Sequence, residues 1–95
     1  MKKTKILFNK DQIIIFEKSD ISIFWHNEIV GIFYEHPYLI IVSANKNKKL
    51  IFHSLKEIAQ ALPHQFVMCS RSSIINLIHI NHVKSINSKC IIKLG

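Results

Sequence analysis

A succession of short, isoleucine-rich runs, each cut by a few polar residues, leaves this chain little choice of architecture. "KILF" gives way to "NKDQ", "IIIFEK" to "SD" and "ISIFW" to "HNE"; "IVGIFYE" and "YLIIVSA" follow, split by "HP", and then "NKNKKLIFH". Isoleucine is branched at Cβ, so it is stiff at χ1 and suits a pleated, half-buried surface better than a helix. Runs of this length bounded by Asn, Asp and Pro are strand signals. None approaches the roughly 20 apolar residues needed to cross a bilayer. "SANKNKKL" reads as a hairpin loop with Lys46, Lys48 and Lys49 in solvent.

The rhythm changes once, at "HSLKEIAQALPHQF". Ser54 and Glu57 stand at capping-box spacing, where each side chain can satisfy an orphan N–H of the other. Leu55, Ile58, Ala59 and Leu62 then fall on one helical face, and Pro63 ends the segment. The spacing predicts a short amphipathic helix over about residues 54–62. The closing stretch "VKSINSKCIIKL" reads as two further strands. The expected fold class is therefore mainly β: a small domain of short sheets with one helix. At 95 residues it is one domain, with no room for a second core.

Lysine and arginine number 13 against six acidic residues, a formal charge of +7. That surplus favours a polyanionic partner, with double-stranded DNA foremost. The start, "MKKTKILFNKDQ", carries only Ile6-Leu7-Phe8 as an apolar run, short of the about 7–15 residues of a signal peptide. The expected location is the cytoplasm, with no membrane contact. Cys69 and Cys90 are too few for a disulfide scaffold and are expected as reduced thiols.

Catalytic patterns are missing. "SRSS" lacks the flanking glycines of a nucleophile elbow, the acidic residues are scattered, and two glycines cannot build a phosphate loop. "HINH" sets His79 and His82 three apart, but the thiols are isolated and the spacing is wrong for zinc. No enzyme activity, cofactor or metal is expected.

Two local features suit nucleic acid instead. In "CSRSSIIN", Arg71 is the chain's one arginine. Its planar fork can pair two-point with guanine O6 and N7, which an ammonium cannot do. Neighbouring serines can donate to phosphate oxygens and fix the register. The second feature is the helix start, where Ser54 and Lys56 favour a phosphate.

In this order the features resemble the LytTR-type DNA-binding domain. The resemblance rests on Ser54, Leu55, Lys56, Glu57, Leu62, Pro63 and Phe66, then Arg71, Ser72, Asn76, Ile80 and Ile86. Upstream, "EIVGIFYEHPYLIIV" fits the family's strand pair with Tyr38 in its tyrosine position, and "CIIKLG" fits its end. The likeness covers about residues 28–95, which leaves 1–27 as additional N-terminal strands. It implies loops inserted into successive major grooves of promoter direct repeats by bacterial transcription factors, with a homodimer on DNA as one arrangement. Carried over, it implies base contacts from Arg71, Ser70 and His36. It implies phosphate contacts from Ser72, Ser73, Asn76, Tyr38, Ser54 and Lys56, to which the charged loop adds Lys46 and Lys48.

The sequence also departs from the family. The family's histidine before the arginine is Ser70, its earlier arginine is Met68, and its glutamate in the strand pair is Phe33. The family pattern runs on into one more strand ending in Ser-Arg, which this sequence does not reach. An alternative therefore stands beside DNA binding: a degenerate domain that dimerises or binds protein through "KCIIKL" as an exposed edge strand.

Overall fold

The computed structural model describes residues 3–45 and 47–79, so Lys46, Ile80, His82, Ile86, Cys90 and the expected closing strands lie outside the described residues. Within them the chain is mainly β. Strands β1 (Lys5–Phe8), β2 (Gln12–Glu17) and β3 (Asp20–Trp25) form an antiparallel three-stranded sheet in that order. A 3-10 turn, His26–Glu28, carries the chain into a second sheet. That sheet holds β4 (Ile29–Glu35), β5 (Tyr38–Ser43), β6 (Lys48–Ile51), β7 (Phe66–Ser70) and β8 (Ser73–Asn76), in the antiparallel order β6-β5-β4-β8-β7. Helix α1 (Leu55–Ala61) lies between β6 and β7 in the chain, and a second 3-10 turn, Leu77–His79, follows β8.

Alternation along the strands decides what packs where. Ile13 and Ile15 of β2, Ile32 of β4, Leu39 and Ile41 of β5 and Ile74 of β8 point inward between the two sheets. Leu55 and Ile58 of α1 join the same core. The far face of the five-stranded sheet holds a second cluster of Val30 and Ile75, flanked by Phe33, Val42, Val67 and Cys69. A bulge between Ile29 and Gly31 lets both Ile29 and Ile32, three apart, reach the first core. Gly31 is required there, because a Cβ would stand 2.8 Å from the Phe33 ring and 2.9 Å from the Ile74 carbonyl oxygen.

Helix α1 follows its expected bounds, with Ser54 as N-cap and Leu62 as C-cap. Only half of the capping box forms. Ser54 Oγ accepts from Glu57 N–H at 3.3 Å, but the Glu57 carboxylate turns away to take Lys3 Nζ at 2.9 Å. Helix start and N-terminal arm are thereby tied together, and Thr4 adds a backbone bond to Phe52 at 2.7 Å.

The expected lysine loop is shorter than its sequence suggests. Lys48 and Lys49 belong to β6, and Lys49 is half-buried in an ion pair with Glu17 of β2 rather than in solvent. The three-stranded sheet, in contrast, leaves Leu7, Ile21, Ile23 and Trp25 exposed on its outer face.

Candidate nucleic-acid interface

The register of the five-stranded sheet sorts its loops to two ends. Glu35 pairs with Tyr38, Phe33 with Ser73, Ser70 with Ser73, and Leu39 with Ile51. The β4–β5 turn at His36–Pro37, the β7–β8 turn at Arg71–Ser72 and the run into α1 at Ser54 therefore share one end. The His36–Pro37 peptide bond is cis. The two turns are directly bonded, since Tyr34 N–H donates to the Ser72 carbonyl at 2.7 Å.

Arg71 sits exposed at the tip of its turn. Among the described residues the ion pairs are Lys3–Glu57, Lys49–Glu17 and His53–Glu57, so no carboxylate neutralises it. Ser70 builds the turn beneath it. Its Oγ accepts from Ser72 N–H at 3.2 Å and bonds Ser73 Oγ at 2.8 Å, with a bulge between Met68 and Ser70. A hydroxyl bonded to the backbone two residues on is a standard way to hold a tight turn. Across the Tyr34–Ser72 link, Tyr34 Oη and His36 Nδ1 stand 2.7 Å apart with their rings edge to face. Tyr38 is exposed beside them, and Lys56 is exposed in the first turn of α1. One end of the sheet thus presents a free guanidinium, an imidazole, hydroxyls and an ammonium. These are donors suited to phosphate and base edges.

The family model described as the LytTr DNA-binding domain matches residues 11–95. The chain belongs to the LytTr DNA-binding domain family. The match begins within β2's approach and takes in β2 and β3, strands that the motif resemblance from residue 28 did not reach. Among solved structures, the LytTr DNA-binding domain of a response regulator from Bacillus cereus superposes with a TM-score of 0.64 at 18% identity. The superposition covers 75% of this chain, which spans 65% of that one, and at this identity it speaks for the LytTr fold. No curated protein matches.

Placing the expected contact residues on the LytTr fold separates them. Arg71, Ser70, Ser72, His36, Tyr38, Ser54 and Lys56 gather at the end just described. Asn76 does not, and its expected phosphate contact is corrected: it is fully buried at the opposite end of β8. Its Nδ2 donates to the carbonyls of His26 at 3.0 Å and Ile29 at 2.8 Å, which would otherwise be stranded donorless in the core. Ser73 is likewise 1% exposed, its hydroxyl spent on Ser70, so it supports the turn from inside. Lys48 is exposed, but Val42 pairs with Lys48, which puts it at the far end of β6 from the Arg71 turn. The expected thiol at Cys69 is also corrected, since Cys69 is disulfide-bonded.

Tyr34 is the residue that sequence reasoning passed over. Its signal was available: it lies two before His36 on one strand, so the two side chains share a face. Among the described residues no group of three His, Cys, Asp or Glu could hold a metal ion, and no helix is long and apolar enough to cross a membrane.

Proposed function

We propose that this domain binds double-stranded DNA sequence-specifically and regulates transcription in a bacterial cytoplasm, inserting its two bonded turns into the major groove. The observation that carries this reading is an exposed Arg71, without an ion-pair partner among the described residues, on a turn hydrogen-bonded to the His36 turn. Arg71 reads a guanine edge, and His36 with Tyr34 contacts the neighbouring step. Ser72, Tyr38, Lys56 and the N–H groups at the Ser54 helix start hold phosphates and set the register. Family membership and the +7 formal charge support a nucleic-acid partner. Direct-repeat sites, occupied by two copies, follow from the same reading.

Selection of binding sites from random duplexes at stated salt tests it. The expected result is a short motif containing a guanine whose selection disappears in Arg71→Ala. A pool enriched without any motif would reduce the interaction to salt-dependent attraction and remove the sequence-specific claim.

A further inference from the structure

We infer that Tyr34 is a positioning residue for His36. Its hydroxyl donates to His36 Nδ1, fixes the imidazole proton on Nε2, and so makes His36 a donor that rejects cytosine at the base it faces. This deepens the DNA reading proposed above and rests on it. Tyr34 and His36 stand beside the Arg71 turn, so the inference adds a second kind of selectivity to the same end of the sheet.

The contact itself supplies the first argument. Tyr34 Oη and His36 Nδ1 stand 2.7 Å apart. Two arrangements satisfy such a pair: the phenol donates to a bare Nδ1, or a protonated Nδ1 donates to the phenol oxygen. The separation favours the first, because O–H donors cluster at about 2.7–2.8 Å and N–H donors to oxygen at about 2.9–3.0 Å. Basicity agrees, since a bare imidazole nitrogen is a much better proton acceptor than a phenol oxygen. Among the described residues no ion pair joins His36 to a carboxylate, and Glu35 belongs to the other face of β4 by alternation. No carboxylate therefore competes with the phenol for the ring.

The mounting of Tyr34 supplies the second. Its main chain pairs with the fully buried Leu39 of β5 on one side, and on the other its N–H donates to the Ser72 carbonyl. The phenol ring meets the imidazole edge to face, with centroids 6.1 Å and planes 73° apart, so ring and hydroxyl together hold the imidazole plane. Both side chains are exposed, so the bond contributes little to folding. What it sets is which ring nitrogen carries the proton. With Nδ1 engaged, Nε2–H is left facing outward, and it can only donate. In the major groove purine N7, guanine O6 and thymine O4 accept, whereas cytosine presents its N4 amino donor. A fixed donor is therefore matched by three bases and meets another donor at the fourth. An imidazole free to exchange tautomers would turn a bare nitrogen to cytosine and lose that discrimination. Arg71 thus selects a guanine by two-point pairing, and His36 excludes one base by the proton it is made to carry.

Tyr34→Phe tests this, because it keeps the ring and the backbone bond to Ser72 and removes only the phenol oxygen. Nitrogen NMR of the intact chain without DNA, at mildly alkaline pH, distinguishes bare from protonated ring nitrogens. The His36 signals, assigned by their loss in His36→Ala, are expected to show a bare Nδ1 and a protonated Nε2, and to average between tautomers in Tyr34→Phe. In site selection from random duplexes, the unaltered chain is expected to disfavour cytosine about tenfold at one position, the scale of one hydrogen bond. Tyr34→Phe should reduce that to about twofold with the Arg71-dependent guanine selected as before. Added to His36→Ala, it should change nothing further. A proton found on Nδ1 overturns the inference. So does cytosine discrimination that survives Tyr34→Phe, and in both cases an Arg71-dependent guanine would leave the DNA reading standing. A pool without any motif from the unaltered chain overturns the reading and the inference together.

Discussion

The two ends of the five-stranded sheet are built from the same kinds of residue and do opposite things with them. At the Arg71 end, serines, a histidine and tyrosines stand in solvent, and their hydrogen bonds hold turns in shape. At the Asn76 end, Asn76 turns inward and its Nδ2 satisfies the His26 and Ile29 carbonyls that the core has cut off from water, while Gln65 braces its Oδ1. Polar residues are thus either the working surface or the internal bracing, and which they become depends on the strand end at which the register sets them. Family resemblance placed Asn76 among the DNA contacts; its burial assigns it to the bracing.

The largest effect should come from breaking the braced end. Asn76→Ala strands the His26 and Ile29 carbonyls in the core and should cost about 3 kcal/mol of stability, read from urea unfolding midpoints. The open end should respond in the reverse sense. Arg71→Ala should change stability by less than about 0.5 kcal/mol and weaken a cognate DNA site by about 1–3 kcal/mol. Should Asn76→Ala instead leave stability intact while weakening DNA, the division between the ends would collapse.

A smaller effect concerns proton linkage at the braced end. Because burial holds the His26 pKa below its ordinary 6.5, the unfolded chain takes up a proton before the folded one does as pH falls. Stability from this group is complete above 6.5 and is lost as pH drops through the lowered folded value. Unfolding measured at neutral and mildly acidic pH should show that decline, and His26→Phe should flatten it. The smallest effect separates the two ends by charge alone. Lys56→Ala should reduce the slope of log affinity against log salt by about one unit, whereas Lys48→Ala, at the far end, should leave it unaltered.

Much of the fold was legible because periodicity is a local signal. The helix could be placed within a residue at each end, since Ser54, the spacing of Leu55, Ile58 and Leu62, and Pro63 all bear on the same few turns. The strands from β1 to β5 follow their isoleucine runs closely for the same reason. Pairing partners were not legible. That Lys49 meets Glu17 across the two sheets depends on how sheets pack, and Asn76's two carbonyls come from residues about 50 positions earlier. Of the site, Arg71 could be singled out by composition, because one guanidinium among lysines asks for a planar acceptor. Tyr34 could have been found from its two-residue spacing to His36 on one strand, but an isolated histidine such as His26 carries no indication of whether it faces solvent or the interior.

One backbone bond has a wider consequence. The Tyr34 amide grips the Ser72 carbonyl, so the tips bearing His36 and Arg71 cannot drift apart independently. The spacing between whatever those tips grasp is fixed by main-chain geometry. Under the proposed DNA-reading role, exchanging the residues at either tip would change the letters that are recognised and preserve the stride between them.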